Sequence, residues 1–210
     1  VTHTATLVWV TPDAENVISY CARVSNPANQ ANYATAPKLL RYCISHQHWS
    51  VFEMASMCIE VTTTRAIAPQ VLRHRSFSFQ EFSLRYAEAM ANPVVPELRL
   101  QDHSNRQNSL PLAGDHSAGA LYDDIGKHFA AATALYDKLL RSGVAREVAR
   151  DVLPLATPTR LYMSGTIRSW IHYVQLRTGN GTQKEHRLIA ESTRRILFEQ
   201  LPTIAEALSE

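Results

Sequence analysis

Seven apolar residues recur at helical spacing between Ala118 and Arg141: Leu121, Ile125, Phe129, Ala132, Leu135, Tyr136 and Leu139. No strand can gather that set on one face, so the period commits the stretch to one long amphipathic helix, which Ser142-Gly143 ends. Elsewhere the period is two. Met57, Ile59 and Val61 alternate with Ser56, Cys58, Glu60 and Thr62, the pattern of a half-buried strand. Thr4 to Val10 alternates more weakly and reads as a first strand. One-sided strands and striped helices bury themselves against each other, and 210 residues suit one such domain over 1–210, or one compact domain with an appendage.

The remaining elements follow from caps and breakers. Thr11 as cap and Pro12 at the first helical position open a helix with Val17, Ile18, Cys21, Ala22 and Val24 inward. A second runs from about Pro37 to Gln47, with Leu39, Leu40, Cys43 and Ile44 on its stripe. Ile67 to Leu72 and Ala145 to Val152 read as short helices, and Pro158 keeps its successors extended. Thr166 to Arg177 is helical through Ile167, Trp170, Ile171 and Val174. Thr182 caps a last helix to about Gln200. Asn92 to Ser117 has no period and reads as a long surface loop, a candidate lid.

Polar chemistry is densest from Arg73 to Tyr86. Three arginines and His74 surround one carboxylate, several hydroxyls and three phenylalanines. From Glu81 the residues alternate, so an extended segment would put Glu81, Ser83 and Arg85 on one face and Phe82 and Leu84 inward. Gln70 and Arg73, three apart, share a helical face. A helix end running into a strand can converge such groups on an anion; a solvated basic face is the bland alternative. The formal charge of +2 is too small to argue for nucleic acid or an anionic membrane surface, and the clustering favours an anionic small molecule. A nucleotide- or RNA-binding module without catalysis remains the rival on aromatic and arginine clustering. A metal hydrolase using His46, His48 and His74 is another, but Cys43, His46 and His48 are loosely spaced with no second cluster. Cys21, Cys43 and Cys58 are an odd count without redox spacing, which suits reduced thiols in a cytoplasm. No apolar run reaches membrane-span length and no leader pattern is read, although the chain opens at Val1 rather than Met.

The Arg73–Tyr86 stretch resembles the signature of the flavin-dependent thymidylate synthases: Arg-His-Arg, seven residues, Ser, and Arg two further on. Arg73-His74-Arg75, Ser83 and Arg85 meet it, and Ser78 matches an internal serine. Gln80 stands where the family more often has Asn. Ser25 after Ala22-Arg23-Val24 matches a family serine. His48, Ser50 and Glu53 fit a block of the type His-x-Ser/Thr-x-Phe-Glu-His, with Met54 in place of the last His. Val144 to Leu155 resembles another block, in which Arg150 matches a nucleotide-binding arginine.

The resemblance implies an α/β (α+β) fold with a central, mostly antiparallel sheet flanked by helices, assembled as a homotetramer with shared sites. It implies reductive methylation of dUMP to dTMP, with methylenetetrahydrofolate as carbon donor and NADPH-reduced FAD as hydride source. Gln70, Val71, Leu72, Arg73, Glu81, Phe82, Ser83, Leu84, Arg85, Arg150 and Arg177 would then meet dUMP. Arg177 would be catalytic at the pyrimidine's imide edge. Ser25, His48, Ser50, Glu53, Arg73, His74, Arg75, Glu81, Thr166, Ile167, Arg168 and His172 would meet FAD. The resemblance implies no metal, no cysteine nucleophile, and no nucleic-acid or membrane partner. On the 166–177 helix, Arg168 and His172 share a face and Arg177 lies about half a turn away. Opposed directions fit a site shared between subunits.

Overall fold

The computed structural model describes residues 3–112 and 118–209; Val1 and the 113–117 end of the expected loop lie outside the described residues. In chain order it contains β1 (Thr4–Val10), α1 (Ala14–Ala22), α2 (Ala36–Ser45), β2 (Ser56–Thr64), α3 (Ala68–Val71), β3 (Ser78–Glu81), β4 (Arg99–Gln101), β5 (Ser109–Pro111), α4 (Ala118–Arg141), α5 (Arg146–Ala149), β6 (Pro158–Thr166), α6 (Ile167–Arg177), α7 (Lys184–Gln200) and α8 (Pro202–Ala207).

The main sheet has the order β1-β2-β6-β3, and every neighbouring pair is antiparallel. This is the expected architecture of an antiparallel sheet flanked by helices. On one face Met57, Ile59 and Val61 stand opposite Gly165, Met163 and Leu161. That face joins Ile18, Leu40, Phe52, Trp170, Ile171, Ile189, Leu197 and Ile204 in one core. The opposite face is polar, with Glu60 across from Tyr162 and Thr62 across from Arg160. Edge strand β1 is pinned to α7 by one hydroxyl: Ser192 accepts from the Ala5 N–H and donates to the Ala5 carbonyl, both at 3.1 Å. The Ala5 backbone groups, which could help recruit another strand, are thereby satisfied inside the chain.

Several local expectations need correction. Helix α1 begins at Ala14, because the Thr11 hydroxyl is taken up by Ser56, donating to its carbonyl and accepting from its N–H. Asp13 is the N-cap residue, with a left-handed φ of 52°. α3 is only Ala68–Val71. The alternation from Glu81 onward does not mark a strand: β3 lies before it and ends at the Glu81–Leu161 pair. Burying Leu84 instead requires a turn, in which the Tyr86 and Ala87 N–H groups donate to the Ser83 carbonyl. Thr182 does not cap α7, whose N-cap residue is Gln183. The expected 92–117 loop holds the β4–β5 hairpin, whose three-residue strands are too short to show a period.

α4 spans the expected range, yet only part of its stripe is covered. Ala132 and Tyr136 are buried, whereas Leu121 and Leu135 are exposed. The helix packs on the 89–98 segment, where Tyr136 and Tyr122 hydroxyls accept from the Ala89 and Leu98 N–H groups.

Gly165 near the end of β6 makes room for Phe77. A Cβ at Gly165 would lie 2.4 Å from Cδ1 of that ring, which Trp170 holds edge-on at 4.5 Å. Gly165→Ala is therefore expected to cost about 1–3 kcal/mol by overpacking, lowering the thermal midpoint by about 2–4 °C per kcal/mol. Gly126→Ala, in α4 with nothing within 4 Å of the added methyl, should be neutral or stabilising. Equal midpoints for the two variants would show that the Phe77 ring is free to yield.

Candidate active site

Helix α6 organises the polar groups. Thr166 caps it, its hydroxyl accepting from the Ser169 N–H at 3.4 Å. Near its other end the Arg177 Nε donates to His74 Nε2 at 2.9 Å. An acceptor at Nε2 means a neutral imidazole protonated at Nδ1. Burial, then the Arg177 charge and His172, push the His74 pKa down to about 4. Tyr173 packs edge-on against His74 at 4.9 Å, and its hydroxyl lies 3.2 Å from Nε2 of His186. Burial, then Arg177 and His74, lower His186 to about 4 as well. Arg177 is thus a fixed cation backed by neutral rings, and it forms no ion pair with a described carboxylate.

A trough of about 610 Å³ lies on the other face of α6, lined by Arg168, His172 and Gln175 together with Gln47, Trp49, Glu53 and Ser76. Arg168 pairs with Glu53 across it. Of the residues expected at a cofactor, Glu53, Arg168 and His172 meet here, and Thr166 caps the helix that carries two of them. His48 and Ser50 are exposed on the adjoining turn, with His48 edge-on to Tyr42. Ser25 is exposed beyond α1, beside buried Arg23, which holds its loop through the Thr35 hydroxyl at 2.8 Å.

The residues expected at the nucleotide fall into two groups. Gln70 and Arg73 line a cationic cavity of about 840 Å³ with the hairpin residues Arg106 and Asn108 and with Lys184 and Arg187 of α7. Gln70 Nε2 donates to Gln183 Oε1. Arg99 and Lys184 are committed to Glu185 and Glu97 at 2.6 Å each. Burial works to raise the Glu185 carboxyl, but the Arg99 fork, its own backbone N–H and Gln183 outweigh that and bring it down to about 2. Arg73 has no described carboxylate partner. The second group gathers on α5, where Arg85 pairs with Glu147 at 3.5 Å and Arg150 Nε donates to the Glu147 carbonyl. Ser83 Oγ accepts from the Arg85 N–H.

Glu81 stands apart. Its Oε1 accepts from Arg65 at 3.2 Å and from Thr159 at 3.0 Å, and Arg65 also donates to the Phe82 carbonyl. Val71, Leu84 and Ile167 are buried in the chain, so ligand contacts there would have to come from backbone; Leu72 and Phe82 are half-buried and Arg75 is exposed. Cys43 is buried while His46 and His48 are exposed, so those three are not a ligand set, and no metal-holding group of three appears among the described residues. Burial raises the thiol pKa of Cys43 and Cys58. Sequence reading missed Arg65, Gln47, Trp49 and His186. Only His186 left a signal, an imidazole on the stripe with Ile189, Ala190 and Thr193.

The description "thymidylate synthase complementing protein" belongs to the family profile that matches residues 6–203. A protein of Paramecium bursaria Chlorella virus 1, called a probable flavin-dependent thymidylate synthase, is 54% identical over 93% of this chain and 90% of its own length. A Synechocystis flavin-dependent thymidylate synthase is 52% identical over 92% and 89%. The crystal structure of a UMP/dUMP methylase, PolB from Streptomyces cacaoi, bound with 5-Br dUMP, superposes with a TM-score of 0.85. It is 28% identical, covering 98% of this chain and 94% of that one.

The buried imidazoles set a pH response. His186 is held near 4 in the fold against an ordinary 6.5 unfolded, so the unfolded chain binds the extra proton in between. Stability is then full above about pH 6.5 and falls as the pH drops toward 4. Urea midpoints at pH 7.5 and 5 should show a loss of about 1–2 kcal/mol attributable to His186, which His186→Gln removes. An unchanged pH dependence in that variant would assign the loss to other groups.

Proposed function

The chain belongs to the thymidylate synthase complementing protein family, and we propose that it is a flavin-dependent thymidylate synthase that methylates dUMP to dTMP. The observation that carries the reading is Arg177, a cation held by a neutral acceptor instead of a carboxylate. A pyrimidine ring that attacks a one-carbon acceptor builds negative charge at its imide edge. A fixed guanidinium there stabilises that charge without serving as a base, and its field is undiminished by a counter-ion. Buried Cys43 and Cys58, with raised pKa values, are poor nucleophiles, in keeping with chemistry that needs no thiol.

In this reading Gln70, Val71, Leu72 and Arg73 hold dUMP from one side, and Glu81, Phe82, Ser83, Leu84, Arg85 and Arg150 from another. Arg73 and Arg85 offer forks that suit a phosphate. The donor set of the trough fits FAD: Arg168, His172 and the Gln47 and Gln175 amides could supply hydrogen bonds beside Trp49. Ser25, His48, Ser50, Glu53, Arg73, Arg75, Thr166 and Ile167 would complete the cradle. His74 would contribute through Nδ1–H, since Nε2 is taken by Arg177, and Glu81 through Oε2, since Oε1 is taken by Arg65 and Thr159. FAD, once reduced by NADPH, supplies the hydride that completes a methyl group whose carbon comes from methylenetetrahydrofolate. We read residues 1–210 as one synthase domain, which a single core running from Ala5 to Ile204 supports. A cytoplasmic setting goes with three free thiols, and no described helix is long and apolar enough to cross a membrane.

Gln70 and Arg73 line the cavity beside α7 while Arg85 and Arg150 gather at α5, and α4 leaves Leu121 and Leu135 exposed. Both facts support a homotetramer in which neighbouring chains complete each site. An inactive Arg73→Ala protein reassembled with an inactive Arg150→Ala protein should regain activity, because one class of mixed site is then intact. No recovery in verified mixed tetramers would count against shared sites.

The activity itself is tested anaerobically with dUMP, methylenetetrahydrofolate, NADPH and FAD, scoring dTMP; absence of dTMP from flavin-loaded protein overturns the reading. Arg177→Ala should leave flavin reduction by NADPH nearly intact. It should cut dTMP formation at least about a hundredfold at saturating dUMP. A fall of only a fewfold, together with lost stability, would reduce Arg177 to a helix-end cation.

A further inference from the structure

Helix α2 ends in a conformation that its sequence resists. The Gln47 N–H donates to the Ile44 carbonyl at 3.0 Å and the His48 N–H to the Cys43 carbonyl at 2.8 Å. This is the paired closure in which the residue just past the cap adopts a left-handed backbone, a position that glycine usually fills. Here it is Gln47, at φ 58°. A side chain at that φ crowds the following carbonyl, and glutamine has none of the local hydrogen bonding that lets asparagine tolerate the region. Glycine would relieve the turn without altering either hydrogen bond.

The cost is offset by where the side chain goes. Gln47 lines the trough with Trp49, Arg168, His172 and Gln175. Its amide forms no hydrogen bond with a described group, so donor and acceptor are both available there. We propose that Gln47 is a cofactor-contacting residue, whose amide meets the flavin ring and whose strained backbone is retained for that contact. The inference rests on the reading of the trough as the flavin site.

The test measures two quantities that strain and contact move in opposite senses. Without flavin, Gln47→Gly should raise the thermal midpoint by about 1–4 °C. The same variant should bind FAD about 3- to 10-fold more weakly by fluorescence titration, as expected for one lost hydrogen bond. Gln47→Asn, which keeps an amide and tolerates the backbone, should share the stability gain and recover part of the affinity. A stabler Gly variant with unchanged FAD affinity overturns the contact while leaving the synthase reading intact. A less stable Gly variant overturns the strain argument. Failure of the unmutated protein to bind FAD at all overturns the flavin reading and this inference with it.

Discussion

The buried indole of Trp170 fixes the relation between sheet and site. Its N–H is shared between the carbonyls of Met57 on β2, at 2.9 Å, and Gly165 on β6, at 3.1 Å. A buried donor left without a partner is costly, so the first turns of α6 cannot lift off the end of those strands without losing both acceptors. The edge of Phe77 rests on the same indole, which ties the turn after the Arg73–Arg75 cations to the helix. From that anchor α6 presents Arg168 and His172 to the trough and carries Arg177 to His74. The site's geometry is a property of one helix seated on the end of two strands.

Two arginines illustrate how the surroundings decide what a cation can do. Arg99 is gripped at both guanidinium nitrogens by Glu185, and the pair clamps the hairpin to the start of α7. Its charge is spent within the protein. Arg177 is oriented by one hydrogen bond to an imidazole that burial keeps neutral, so its charge stays available. Replacing that imidazole by a carboxylate would hold the arginine as well but quench the field that the chemistry requires.

Legibility in the sequence followed the length of each pattern. The Ala118–Arg141 helix was readable to the residue, because it repeats its period several times, and the weaker alternation of Thr4–Val10 still marked its strand. The alternation beyond Glu81 misled, because burial of Leu84 is served equally by a turn, and five residues do not separate the two. The hairpin was invisible since its pairing is non-local and its strands are three residues long. Among site residues, those in contiguous blocks could be named by resemblance. Arg65, bound to Glu81, and Gln47, in the trough, could not, because their partners come from distant parts of the chain and no periodicity marks them. Nor could the sequence tell that Glu81 is already engaged twice within its own subunit.

The central pairing of β2 with β6 has a consequence for synthesis. β2 ends at Thr64 and its partner begins at Pro158, so the ladder cannot close until most of the chain has emerged. At ribosomal speeds of about 5–20 residues per second, the nascent β1–β2 ribbon waits roughly 5–20 s with the far edge of β2 unpaired. The face of the waiting ribbon carries Met57, Ile59 and Val61, apolar side chains whose core has not yet formed. The interval during translation is therefore when this chain is most exposed to misassociation with its own copies, and a holdase that covers a strand edge would serve it best then.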